Sequence, residues 1–274
     1  MNGTLYIVAT PIGNLGDMSP RAVEILKSVA IIAAEDTRHS KPLLQHFGIK
    51  TDTCAYHEHN EDKQTGALIE TLKNNESVAL ISDAGTPLIN DPGFRLVAAA
   101  LENGITVTPV PGPSAVITAL SVAGLPTDRF VYEGYLPAKT SARKTKLEQL
   151  KHEPRTIIFY ETPHRITEAM NDIVAVFGET RRMTLARELT KKFEQIVHGE
   201  SKSIQQQLLD DRIKQKGEFV IVINGMEETA LADVEVLRIQ NILEEKLSTK
   251  DAAALTAKIT GRKKNEIYEL SLKQ

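Results

Sequence analysis

The segment SDAGTPLINDPG, Ser82 to Gly93, directly follows the apolar run Val78 to Ile81 and places two Gly, two Pro and two Asp between Asp83 and Gly93. Turn chemistry accounts for part of this, because Gly supplies positive φ, Pro fixes φ near −65° and Asp bonds its own backbone. The surplus over a single turn points to a shaped loop at the carboxyl end of a strand, where open α/β sheets bind their ligands. A second loop of this kind, ATPIGNLGD (Ala9 to Asp17), carries neither G-x-G-x-x-G nor G-x-x-x-x-G-K-[ST]. It reads either as a tight strand-to-helix connection or as a loop for something other than nucleotide phosphate.

AEDTRHS sets Glu35, Asp36, Arg38 and His39 at the end of a strand of Ala and Ile. One such residue would be an N-cap at Asp36 or Thr37 with solvated neighbours. Four together suggest a cleft wall, where a guanidinium keeps a carboxylate ionised. YHEHNE brings His57 and His59 close to Cys54, but Cys-x2-His-x-His lacks a second spaced ligand pair, so no metal is expected. FYETPHR (Phe159 to Arg165) and ARELTKKFE (Ala186 to Glu194) leave later strands, mixing acids with bases.

The elements that must position these loops alternate in an α/β pattern. Short apolar strands are expected at Leu5 to Ala9, Ala30 to Ala34, Thr53 to Tyr56, Val78 to Ile81 and Ile105 to Val110, apolar almost throughout because helices cover both sheet faces. Between them run amphipathic helices at Ser19 to Val29, Lys41 to Phe47, Asp62 to Lys73, Pro92 to Glu102 and Ser114 to Ala123; Ser19-Pro20 gives the first an N-cap and a proline at N1. Past Gly124-Leu125-Pro126 a second α/β unit begins. Its strands are Phe130 to Tyr135, Thr156 to Tyr160, Met183 to Ala186, Phe193 to His198 and Phe219 to Ile223, and its helices Thr140 to Lys151, Pro163 to Phe177 and Ser203 to Arg212. The expected units are therefore residues 1–126, 127–225 and 226–274. The last comprises an acidic linker, Met226 to Asp233, and helices at Val234 to Leu247, Lys250 to Ile259 and Lys263 to Leu272. The final two, joined by Thr260-Gly261-Arg262, have the outline of a helix-turn-helix or of a small helical cap.

The chain has 274 residues, 41% apolar and 25% charged, with net charge −3. That balance argues against coating nucleic acid non-specifically and leaves room for local basic patches. Two are visible: Arg181, Arg182, Arg187, Lys191 and Lys192, and Lys139, Arg143, Lys144, Lys146, Lys151 and Arg155. Cys54 is the single cysteine, which excludes an internal disulfide and suits a reducing compartment. With no leader pattern and no run of 18 apolar residues, a cytoplasmic location is expected and no membrane partner.

Taken in order, YIVATPIGNLGD, AEDTRHS, YHEHNE, SDAGTPLINDPG, VPGPSAV, FYETPHR, ARELTKKFEQIVHG and GEFVIVI resemble the tetrapyrrole methylase superfamily of S-adenosylmethionine-dependent methyltransferases. Within it they look like the branch that methylates a cytidine ribose 2′-hydroxyl in the decoding region of small-subunit ribosomal RNA. The resemblance spans Tyr6 to Ile223. It implies two α/β domains with S-adenosylmethionine folded in the cleft between them, a helical C-terminal extension, a homodimer and no metal. It also implies cofactor contacts at Pro11, Ile12, Asp83, Ala84, Gly85, Leu88, Ser114, Ala115, Tyr160, Glu161, Ala186 and Arg187.

The resemblance does not name the proton acceptor. By chemistry alone, the strand-end carboxylates Asp36 and Glu188 are candidates, with lysine as a further possibility if burial lowers its pKa. Arg38, His39, His57, His59, His164, Arg165, Lys191, Lys263 and Lys264 are candidates for holding RNA. Two alternatives stand beside this: a methylase of a tetrapyrrole precursor on the same fold, and a non-catalytic ribosome assembly factor.

Overall fold

The computed structural model describes residues 2–226 and 228–271, and two five-stranded sheets organise them. Strands β1 (Thr4–Val8), β2 (Ile31–Ala34), β3 (Thr53–Ala55), β4 (Val78–Ile81) and β5 (Thr106–Val110) lie parallel in the order β3-β2-β4-β1-β5. Helices α1 (Pro20–Ser28) and α2 (Thr37–His46) bury Ala22, Leu26 and Leu44 on one face. On the other, α3 (Glu61–Lys73) and α4 (Phe94–Glu102) bury Leu68, Leu72, Leu96 and Ala100. Being covered on both sides, β4 is buried at every residue, which is why it reads as a continuous apolar run. Cys54 on β3 packs into the second of these cores, and burial pushes its thiol pKa up, keeping it protonated.

The second sheet contains β6 (Phe130–Tyr135), β7 (Thr156–Glu161), β8 (Arg182–Arg187), β9 (Gln195–Glu200) and β10 (Phe219–Ile223) in the order β6-β7-β10-β8-β9. Only β6 and β7 pair in parallel; the other three pairings are antiparallel. Helices α6 (Thr140–Leu150), α7 (Ile166–Phe177) and α8 (Ser201–Leu209) cover one face through Leu147, Met170, Ile173 and Leu208. The opposite face receives α5 (Ala115–Val122), which buries Val116, Ala119 and Leu120 against Ile158, Val220 and Val222. The helix that follows the last strand of the first sheet thus packs on the second.

Arg143, grouped by sequence with a basic surface patch, is instead 1% exposed. Its Nε donates to Asp172 Oδ2 at 2.6 Å, its Nη1 to the carbonyls of Pro137 and Ala138, and its Nη2 to Glu168 Oε2 at 3.5 Å, so it staples α6 to α7.

Several helices begin elsewhere than the pattern suggests, α4 and α8 by two residues and α2 and α7 by more. α2 starts at Thr37 rather than Lys41, because Asp36 caps it and Pro42 lies inside it; α7 starts at Ile166, after a turn through Pro163. The linker expected from Met226 to Asp233 is also different: α9 (Glu228–Glu244) begins within it, since Ala, Leu and Glu are good helix formers. Helices α10 (Thr249–Thr260) and α11 (Lys264–Ser271) complete a separate small unit around Val236, Ala253 and Ile267. Glu227 within the expected linker, and Leu272 to Gln274 at the end of the expected last unit, lie outside the described residues. Among the described residues no helix is long and apolar enough to cross a membrane, and no group of His, Cys, Asp or Glu is arranged to hold a metal.

Candidate active site

The loops after β1 and β4 meet first. The Thr10 N–H donates to the Gly85 carbonyl at 2.9 Å and the Gly85 N–H to the Thr10 carbonyl at 3.1 Å, a reciprocal bridge that needs Gly85 at φ +89. The loop after β2 is stitched to the same place. The Asp36 N–H donates to Asp83 Oδ1 at 3.2 Å and the Asp83 N–H to Glu35 Oε2 at 3.4 Å. Thr86 Oγ1 donates to the Pro113 carbonyl at 3.0 Å, drawing in the loop after β5. Strand order places β1 between β4 and β5, so these loops converge over the centre of the sheet, at its carboxyl edge.

Between them and the second sheet lies an open cleft of about 210 Å³. The first half supplies Ile12, Glu35, Asp83 to Thr86, Ile89 to Asp91, Ser114 and Ala115; the second supplies Tyr135, Tyr160, Leu189 and Glu218 to Val220. The Tyr160 ring stands edge-on to Tyr132 and Tyr135, with centroids 5.0 and 5.7 Å away. Four carboxylates line the cleft, from Glu35, Asp83, Asp91 and Glu218, and no Lys, Arg or His does so among the described residues.

The electrostatics follow from that crowding. Burial raises the pKa of Glu35, and repulsion from Asp83 adds to it. Burial also pushes Asp91 up to about 6; the Ser82 hydroxyl opposes this and the charges of Glu35 and Asp83 reinforce it. Burial raises Tyr135 and takes Tyr160 to about 12, so both stay neutral phenols at physiological pH.

Of the expected cofactor residues, Ile12, Asp83, Ala84, Gly85, Ser114, Ala115 and Tyr160 come together in the cleft wall. The others sit behind it. Pro11 is buried within the first loop, and Leu88, at φ +72, packs into the core of α3 and α4. Ala186 lies in the apolar layer between α5 and the second sheet. Glu161 is 1% exposed, its Oε1 accepting from the Thr162 N–H at 2.7 Å and from Arg165 Nε at 2.8 Å. Arg187 donates to the carbonyls of Lys216 and Phe193, at 2.5 and 3.1 Å, pinning two loops together.

Neither expected proton acceptor lines the cleft. Asp36 caps α2, accepting from the Arg38 N–H at 2.8 Å while its other oxygen pairs with the Arg38 guanidinium at 2.9 Å. These hydrogen bonds hold its carboxyl down at about 2. Glu188 accepts from Lys191 Nζ at 2.9 Å and from the Glu218 N–H at 3.1 Å. Burial alone would raise its pKa, and the bonds outweigh this to lower it. Lys191 also reaches Glu218 at 2.9 Å, and these two partners outweigh burial to raise its pKa, so it is a fixed cation rather than a base. Its stem lies across Gly13, where a Cβ would overlap Lys191 Cγ, so this triad closes the first loop against the second half.

The RNA candidates are scattered. Arg38 (90% exposed at its side chain), His39, His59, His164 and Lys263 face solvent, while Arg165 is paired with Glu161. His57 edges onto His59, with ring centroids 5.9 Å apart, and its buried Nδ1 has no hydrogen-bond partner. Lys264 stands over the Tyr268 ring. The cleft residues Asp91, Tyr135, Leu189 and Glu218 were not picked from sequence, although Asp91 sits inside the segment SDAGTPLINDPG.

Residues 4–205 match the family model for tetrapyrrole (corrin/porphyrin) methylases, and residues 230–274 match that of the RsmI C-terminal HTH domain. The chain is 54% identical to the ribosomal RNA small subunit methyltransferase I of Xylella fastidiosa, over 97% of this chain and 98% of that protein. It is 52% identical to the protein of the same name from Pseudomonas aeruginosa, over 99% and 98%. Among solved structures, a cobalt precorrin-4 methyltransferase superimposes with a TM-score of 0.58 at 16% identity, covering 81% of this chain and 94% of that one. A uroporphyrin-III C-methyltransferase of Thermus thermophilus in complex with S-adenosylhomocysteine gives 0.54 at 16%, covering 81% and 97%.

Proposed function

The chain belongs to the tetrapyrrole methylase family, and from that membership we propose that it methylates the ribose 2′-hydroxyl of a cytidine in the decoding region of small-subunit ribosomal RNA, using S-adenosylmethionine. The relatives with about half of their residues identical over nearly the whole chain carry the small-subunit ribosomal RNA methyltransferase name. The observation that carries the reading is the charge of the cleft: four carboxylates and no cationic side chain among its described lining. Phosphates would be repelled there. A ligand with a sulfonium and an ammonium against one carboxylate is attracted.

When bound, the cofactor supplies an activated methyl group. The protein's residues have then to position two partners and remove one proton. Asp83, Ala84, Gly85, Ser114 and Ala115 would hold the cofactor largely through backbone, with Ile12 and Tyr160 as its apolar walls. Leu88, Glu161, Ala186 and Arg187 would brace those walls from behind. The exposed cations Arg38, Lys192 and Lys263, with His39, His59 and His164, lie outside the acidic cleft, where the RNA backbone would be met. Helices α10 and α11, joined through Gly261 at φ +70, form the helix-turn-helix outline expected to add RNA contact. A homodimer and a cytoplasmic location belong to the same proposal.

Purified protein given methyl-labelled S-adenosylmethionine and unmodified small subunits should label a cytidine ribose 2′-oxygen. Label on a base, or on an added tetrapyrrole precursor instead, would overturn the reading.

A further inference from the structure

We propose that Asp91 is the carboxylate that takes the proton from the ribose hydroxyl, a role that rests on the methyl-transfer function proposed above. The backbone aims it there. Leu88 and Asn90 lie at φ +72 and +71; asparagine takes this conformation readily, whereas a branched apolar residue such as Leu88 rarely does and keeps it where surrounding structure enforces it. The Gly93 N–H, donating to Glu61 Oε1 at 2.9 Å, fixes the far end of the bend. The result turns Asp91 into the cleft wall.

The other three carboxylates of the cleft are committed. Asp83 accepts the Asp36 N–H, Glu35 accepts the Asp83 N–H, and Glu218 is 74% exposed and paired with Lys191. Asp91 lies near the Ser82 hydroxyl, which favours its charged form, and no ion pair is seen for it among the described residues. Glu35, Asp83 and Ser82 face it from the first half, and Tyr132, Tyr135 and Tyr160 from the second. Nothing cationic in that set holds it down. Burial and repulsion lift it to about 6, where a carboxylate is mostly ionised at neutral pH and still basic enough to accept a proton. In the balanced step the carbon–oxygen bond forms at the ribose oxygen as the donor's carbon–sulfur bond breaks, the electron pair staying on sulfur. The hydroxyl proton passes to Asp91 and then to water.

The test is Asp91→Asn, measured by single turnover on unmodified small subunits and by calorimetric binding of S-adenosylhomocysteine. The rate should fall by about 10² to 10³, with affinity changed by less than about threefold. The wild-type rate should rise with pH through about 6, and that limb should vanish in the variant. Independently of activity, ¹³C NMR of the carboxyl carbons should show a resonance titrating there in the wild type and missing in the variant. A rate within about threefold of wild type, or a fall matched by lost affinity, would overturn the assignment. Asp91→Glu guards against misfolding: it should keep the pH limb at reduced rate, and a flat profile would count against the role equally. If the wild type itself leaves the ribose unmethylated, the function fails and the role with it; an active wild type beside an unaffected variant removes the role alone.

Discussion

Replacing Gly85 by Ala perturbs the bridge on which the cleft is built. The residue sits at φ +89, and an added Cβ would meet Ile12 Cγ2 at 3.3 Å and the Pro113 carbonyl oxygen at 3.8 Å. An L-residue in that left-handed region costs about 1–2 kcal/mol. Relieving the strain by opening the bridge to Thr10 loses two hydrogen bonds, of about 0.5–1.5 kcal/mol each. The smaller of these sets the outcome. About 1–2 kcal/mol then falls on the cofactor-binding conformation, which lowers affinity by about 5- to 30-fold. Isothermal calorimetry with S-adenosylhomocysteine reads this directly. Gly104→Ala is the control: φ is +66, no heavy atom lies within 4 Å of the added Cβ, and the site precedes β5 at the end away from the cleft. It should lower the melting temperature by about 2–4 °C per kcal/mol and leave affinity unchanged. Gly85→Ala binding within about twofold of wild type, or an equal loss in the control, would refute the reasoning.

Asp91→Asn should also change stability. The folded pKa of about 6 lies above the ordinary 3.8, so the native state resists ionisation, and the penalty grows as pH rises from about 4 to 6 and is complete above. Discounted for partial solvent exposure, the variant should be about 1–2 kcal/mol more stable than wild type at pH 7.5 in urea unfolding, with no gain at pH 4. Arg143→Ala leaves the buried Asp172 carboxylate with only the longer pairing to Lys144, at 3.7 Å, and should cost about 3 kcal/mol in the same assay, without altering cofactor affinity of the folded fraction. Lys191→Met removes the cation that holds Glu188 below its ordinary pKa. That contribution is present above about pH 4.3 and is lost as pH falls through the lowered value, so wild type and variant should differ in stability at pH 7 and converge in acid. A chain ending at Gly225 should bind S-adenosylhomocysteine normally by calorimetry and sediment less with small subunits.

The strands and most helices were legible because burial on both faces leaves an unbroken apolar signature, as in Val78 to Ile81 and Phe219 to Ile223. Punctuation misled where a proline had two readings. Pro42 lies within α2 rather than in its first turn, and the true start is fixed by the Asp36 cap, the reading the sequence allows for that residue standing alone and sets aside when its polar neighbours are weighed with it. The loops that build the cleft were legible as loops. Which side chain each turns inward was not, because that depends on φ at Leu88, Asn90 and Gly85 and on bonds between loops such as Asp36 to Asp83, 47 residues apart. Hence Asp36 and Glu188 stood out by type and position while Asp91 and Glu218 did not. The burial of Arg143 was equally invisible: its partner Asp172 is on another helix.

The central claim is that the acidic cleft between the sheets binds S-adenosylmethionine for methyl transfer. A crystal structure with S-adenosylhomocysteine tests it most directly. The account predicts the ligand against Asp83 to Gly85, Ser114, Ala115 and Tyr160, with Asp91 opening onto the space beside its sulfur. Ligand density elsewhere on the chain, with this cleft filled only by solvent, would contradict it.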